Sequence, residues 1–148
     1  MLSQKARYAL RAVLHLAAQP KGEPQQIADV AEKSNVPRKF LEQILLELKR
    51  RGIVHSLRGR AGGYQLGREA KDISFAEVIR VIDGPLALSP CASRTAYRRC
   101  DDCENEQTCE IRRVMLQVRD STARILDNTS LADVMVKGST ELVEGAGI

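Results

Sequence analysis

Ser34-Asn-Val-Pro-Arg-Lys-Phe-Leu-Glu-Gln-Ile-Leu-Leu-Glu-Leu-Lys-Arg-Arg-Gly52 reads as a tight polar turn that runs into an amphipathic helix. Pro37 suits the first turn, where its missing N–H leaves no bond unmade. Phe40, Leu41, Ile44, Leu45 and Leu48 recur at helical spacing and are expected on one inward side. Lys49-Arg50-Arg51 stands where the helix dipole favours cations, and Gly52 can take the left-handed conformation just past the end. Just upstream, residues 26–33 form a shorter helical pattern with Ile27, Val30 and Ala31 on one side. Two helices joined by a short turn, the second one basic, make a helix-turn-helix outline.

Toward the N-terminus, Ser3 can cap a helix running to Ala18, because Ala6, Ala9, Leu10, Val13, Leu14 and Ala17 share one face. Lys21-Gly-Glu-Pro24 breaks it. Toward the C-terminus, residues 53–57 and 64–66 are short strand-like runs, and Arg58-Gly-Arg-Ala-Gly-Gly63 supplies the glycines of a tight hairpin, a wing. A basic tip of this kind is suited to a phosphate backbone or a minor groove; an ordinary solvated hairpin is the plainer alternative. The segment lacks the Gly-Lys-Ser/Thr ending of a nucleotide-binding loop. Ser74-Phe-Ala-Glu77 has the spacing of a capping box and opens a helix with Val78, Ile79 and Ile82 inward, stopped by Gly84-Pro85.

A long helix is expected from Glu110 to Asn128, striped by Ile111, Val114, Met115, Val118, Ile125 and Leu126. Its partner is either the same helix of a second subunit or the chain's own first helix. The expected organisation is a winged helix-turn-helix DNA-binding unit over 1–84, a cysteine-rich loop over 85–110, a dimerisation helix with a final helical turn over 111–136, and a frayed tail over 137–148. The fold class is mainly α with a small β-hairpin wing.

The 148 residues suit one domain. No apolar run approaches the ~18 residues that would span a bilayer, and charges stand where a signal peptide needs its apolar segment, so the expectation is a cytoplasmic protein with no membrane association. The net charge of +4 hides an asymmetry: residues 1–66 carry twelve Lys/Arg against five Asp/Glu, whereas residues 67–148 carry eleven against fourteen. The front half is expected to meet a polyanion; a solvated surface with an uneven draw of charges is the plainer alternative.

All four cysteines fall between Cys91 and Cys109, spaced C-x8-C-x2-C-x5-C. In a reducing compartment such thiols serve as metal ligands or redox sensors more often than as structural disulfides. Four thiolates suit either tetrahedral zinc or an iron–sulfur cluster. Zinc sites usually present two Cys-x2-Cys knuckles; here a single knuckle, Cys100 and Cys103, is flanked by Cys91 and Cys109, which favours wrapping a larger cluster, 2Fe-2S or 4Fe-4S. Zinc and a metal-free thiol switch stay open, as does, in a different class, an iron–sulfur electron-transfer subunit. That last reading leaves the basic winged helix unexplained.

Lys5-Ala-Arg-Tyr-Ala-Leu10, Val36-Pro-Arg-Lys-Phe-Leu-Glu-Gln43 and Arg58-Gly-Arg-Ala-Gly-Gly-Tyr64 together resemble the winged-helix regulators of the Rrf2 family, a resemblance that reaches to about Val136. It implies a homodimeric transcriptional regulator, a repressor in the simplest case, on a roughly palindromic double-stranded DNA operator and sensing iron, redox state or nitric oxide. Glu42 and Gln43 would lie near base edges and Arg58 in the minor groove; Arg38, Lys39, Lys49, Arg50 and Arg60 complete the candidate DNA contacts. Cluster-bearing members carry three cysteines in this loop, matched by Cys91, Cys103 and Cys109, so Cys100 is additional. The family's two-iron version places a histidine three residues past the last cysteine, where this chain has Arg112, which cannot ligate. The fourth ligand is then Cys100 or a residue of the partner's first helix, near which Tyr8 and His15 stand.

Overall fold

The computed structural model describes residues 1–136. Helix α1 (Gln4–Ala17) starts at Ser3, whose hydroxyl accepts the Ala6 N–H at 3.0 Å. The same residue is fastened to the distant Asp83: its N–H donates to Oδ2 at 3.0 Å and its hydroxyl meets the other carboxylate oxygen. Ala6, Ala9, Leu10, Ala12, Val13 and Leu16 are buried.

Helix α2 (Ile27–Ser34) ends at Asn35, which takes the left-handed conformation at φ 54° and lets Val36 drop into the core. Helix α3 (Arg38–Arg50) buries Leu41, Ile44, Leu45 and Leu48. Its end is closed by the Gly52 N–H on the Lys49 carbonyl and the Ile53 N–H on the Leu48 carbonyl, both at 3.0 Å, with Gly52 at φ 72° and Ile53 fully buried.

Phe40 departs from expectation: it is 45% exposed. At 100° per residue it sits about 90° from the centre of the stripe formed by Leu41, Ile44, Leu45 and Leu48, so it reaches the rim rather than the core. There its ring lies against Tyr8 of α1, centroids 5.9 Å apart, under the Lys39 ammonium at 4.9 Å.

Strands β1 (Val54–Leu57) and β2 (Gly63–Leu66) pair antiparallel, Val54 opposite Leu66 and Leu57 opposite Gly63. The hairpin is sewn to the residues entering α2: Gln25 and Tyr64 exchange two backbone bonds of 2.8 Å, and the Gln26 amide donates to the Gly62 carbonyl at 2.9 Å. Gly63 permits this approach, since a Cβ there would lie 2.3 Å from the Gln25 oxygen.

Helix α4 (Phe75–Asp83) is capped by the Ser74 hydroxyl, which accepts the Glu77 N–H at 3.1 Å. The other half of the expected box is replaced, because the Glu77 carboxylate turns to Arg68 while Ser74 bridges Ser130. Helix α5 (Glu110–Asp127) lies on α4 and on the Pro90–Ala92 turn, with an Arg80–Asp127 fork of 2.5 and 3.0 Å at its far end. None of its eighteen residues is buried in the single chain. Helix α6 (Leu131–Val136) returns to the winged helix, where Leu131 is fully buried and donates its N–H to the Ile73 carbonyl at 2.9 Å. The tail expected over 137–148 lies outside the described residues. Among the described residues, no helix is long and apolar enough to cross a membrane.

Candidate DNA-binding surface and cysteine cavity

Helix α3 buries one side and presents the other. Arg38, Lys39, Glu42 and Gln43 are exposed on its first two turns, and Lys49 and Arg50 on its last. Arg58 and Arg60 are exposed in the loop between the strands. Two pairs of side chains on α3 are already engaged. Arg38 Nε lies 3.6 Å from Glu42 Oε1, one turn on. The Gln43 amide donates to Glu47 Oε1 at 3.1 Å, and Lys5 Nζ of α1 reaches that same oxygen at 2.6 Å. The Lys5 bond, helped by Gln43 and opposed by burial, holds the Glu47 carboxyl below its usual range.

All four cysteines are unpaired as disulfides, and all four line one cavity of about 410 Å³, together with Ser89, Asp102, Glu104, Ile111 and Arg112. Cys91 is 6% exposed, in the Pro90–Ala92 turn, with the Ser89 hydroxyl 3.4 Å from its sulfur. Cys103 follows Cys100 in a turn closed by its N–H on the Cys100 carbonyl at 3.1 Å. Cys109 caps α5, its sulfur accepting the Arg112 N–H at 3.4 Å. Hydrogen bonding to Cys91, then burial and the neighbouring Cys91, Asp102 and Cys103 charges, push the Cys100 thiol above its ordinary range. Among the described residues, no three His, Cys, Asp or Glu side chains gather closely enough to hold a single ion. The four thiols thus line a common cavity without converging on one point.

Two arginines seven residues apart tie this loop to α5. Arg112 Nε donates to the Cys91 carbonyl at 3.2 Å and Arg119 Nη1 to the Ala92 carbonyl at 2.7 Å. In the sequence Arg112 stands out only as a residue that cannot ligate; its position one turn past the capping Cys109 is what brings it onto Cys91. Ser89 was also missed, and only its place two residues before a cysteine could have suggested it. Of the two residues considered on the first helix, Tyr8 lies against Phe40, and His15 sits beside Gln19 with its Nε2 buried and unpartnered. Neither is among the residues lining the cysteine cavity.

The profile of the Rrf2 family, described as iron-dependent transcriptional regulators, matches residues 2–137. The chain belongs to the Rrf2 family. An Rrf2-like helix-turn-helix-type transcriptional regulator of Rhodobacter capsulatus is 44% identical over 94% of this chain and 95% of its own length. The regulator IscR of Vibrio atlanticus is 31% identical over 90% of this chain and 74% of its own. Among solved structures, CymR, the global cysteine regulator of B. subtilis, superposes with a TM-score of 0.75 at 30% identity, covering 92% of this chain and 96% of that one. IscR of T. potens gives a TM-score of 0.73 at 28% identity, with 99% and 93% covered. The mainly helical chain with its two-stranded wing is thus an Rrf2 winged helix, a DNA-binding transcriptional regulator rather than an enzyme.

Proposed function

We propose that the chain works as a homodimeric repressor whose affinity for its operator is switched by an iron–sulfur cluster held by Cys91, Cys100, Cys103 and Cys109. The observation that carries this reading is the lining of one cavity by all four thiols at the start of α5. A bound cluster would supply a centre whose charge and integrity respond to oxidation, iron supply or nitric oxide. The chain's own residues carry the response outward. Arg112 and Arg119 hold the Cys91 turn, so a displacement of that turn is felt along two turns of α5. On another side of α5, Ile111, Val114, Val118 and Ile125 remain exposed and meet the same helix of a second copy, whose crossing angle sets the spacing of the two α3 helices on DNA.

The test is protein purified without oxygen, with absorption spectra and iron and sulfide analysis. The wild type is expected to be brown, and Cys91→Ala, Cys103→Ala and Cys109→Ala each colourless. A brown Cys100→Ala variant would move the fourth ligand to the partner subunit. Colourless protein with bound zinc would establish the zinc reading. A second reading, a thiol switch, rests on Cys91 and Cys100 lining the same cavity as free thiols; it predicts colourless protein in which a Cys91–Cys100 disulfide forms on oxidation.

The roles on DNA separate in the same preparation. Lys49, at the end of α3, is assigned to phosphate, so Lys49→Ala should weaken operator and random duplex alike and reduce the log–log salt slope by about 1. Arg58 is assigned to the minor groove, where narrow A·T-rich segments concentrate negative potential, so Arg58→Ala should also erode the preference for operator over random DNA. Titrations at several salt concentrations read both; equal losses on the two duplexes would make Arg58 a backbone clamp. No binding to any duplex in either cluster state would overturn the switch.

A further inference from the structure

We infer that Glu47, anchored by Lys5 of α1, is a positioning residue that fixes the orientation of the Gln43 amide so that it reads adenine in the major groove. The inference rests on the assignment of Gln43 to base edges made above.

A free glutamine amide on an exposed helix face can turn over, presenting its oxygen or its nitrogen to the same partner. Such a side chain is a poor discriminator, since purines differ in the major groove chiefly in whether the second site beside N7 donates or accepts. Gln43 is not free in this sense. Its nitrogen faces a carboxylate 3.1 Å away, which can only accept, so the turned-over amide would set two oxygens against each other. The carboxylate itself is held: Lys5 bonds the same oxygen at 2.6 Å from a different helix, and the Glu47 side chain is only 22% exposed. A charge-assisted contact between α1 and α3 therefore locks the one group on which the direction of the amide depends.

With one N–H spent on Glu47, Gln43 keeps one N–H and its oxygen, a donor beside an acceptor. Adenine offers the complement, N7 accepting and N6 donating. Guanine offers two acceptors, so the amide oxygen would face O6. Cytosine offers a lone donor, and thymine an acceptor beside a methyl group. Neither Glu47 nor Lys5 needs to touch DNA for this selection to hold.

The experiment is selection from randomised duplexes with the full-length protein and with Gln43→Ala, Glu47→Gln, Lys5→Met and Glu47→Gln/Lys5→Met, followed by titration of duplexes that differ only at the base pair where Gln43→Ala relaxes the preference. The wild type is expected to prefer adenine there by about 5- to 150-fold. Glu47→Gln keeps the shape but can donate as well as accept, yet Lys5 still favours an oxygen at this place, so the variant alone should erode the adenine-over-guanine ratio part-way; in Glu47→Gln/Lys5→Met both amide orientations become available and the ratio should collapse toward unity. Lys5→Met should erode it part-way. Preferences at other base pairs, the salt slope of Glu47→Gln and its thermal midpoint should stay near wild type, which a merely structural role would not produce. Full adenine preference in Glu47→Gln/Lys5→Met would overturn the positioning role, and a different preferred base at that pair would overturn the adenine assignment. If Gln43→Ala changes no base preference at all, the assignment of Gln43 to base edges itself fails, an outcome distinct from the other two.

Discussion

Val114→Glu/Ile125→Glu should be a folded monomer that has lost operator affinity by about 10³-fold or more, down to the level of random DNA. In the single chain these residues are 52% and 60% exposed, so neither carboxylate enters the protomer's core and the fold should survive. Paired α5 helices would instead bring four carboxylates into an apolar seam. Desolvating unpaired charges costs several kcal/mol each, which a dimer held by one helix per subunit cannot absorb. A monomer holds a single half-site, and losing the second removes both its contacts and its share of phosphate neutralisation. Sedimentation velocity reads the mass, circular dichroism the fold, and titration of operator and scrambled duplexes the affinity. A dimeric variant would place the subunit interface elsewhere.

Leu131→Ala should cost about 2–5 kcal/mol in urea unfolding, the range for emptying a fully buried leucine site. The site is well enclosed: the Leu131 N–H bonds Ile73 at 2.9 Å, and the Phe75 N–H bonds the Thr129 carbonyl at 2.9 Å two residues before it. Exposed Met135 on the same helix serves as the control, and Met135→Ala should change stability by less than about 0.5 kcal/mol. Equal effects at the two positions would remove α6 from the core.

Why one of these sites was foreseeable and the other was not follows from the range of the signals. The stripe on α5 was visible because Ile111, Val114, Val118 and Ile125 repeat over eighteen helical residues, and a period that long declares a face. Leu131 stands in a six-residue helix, too short for any period to show which side turns inward. Caps and turns at Ser3, Asn35, Gly52 and Ser74 were legible for the opposite reason, because a cap needs only the residues beside it. The pairing of Gln25 with Tyr64 left no trace, since one extended residue has no alternation to read. Phe40 belongs to the apolar stripe of α3 by spacing but lies at its edge, far enough from the centre to reach the rim. For the cysteines, spacing indicated that four thiols share a site; that Arg112 and Arg119 hold one side of it depends on α5 returning past the Pro90–Ala92 turn, a tertiary fact.

Leu131 also constrains the order in which the protein can come into being. A chain leaves the ribosome N-terminus first, and a domain closes its core once the last residue of that core is available. Here the winged helix waits for a leucine that follows the cysteine loop and α5 in the chain. Translation therefore delivers the cysteine loop and α5 before the winged-helix half can complete its packing, so a polypeptide stalled anywhere between Gly84 and Asn128 lacks this residue of the core. A complete winged-helix core therefore always comes with the cysteine loop and α5 already made.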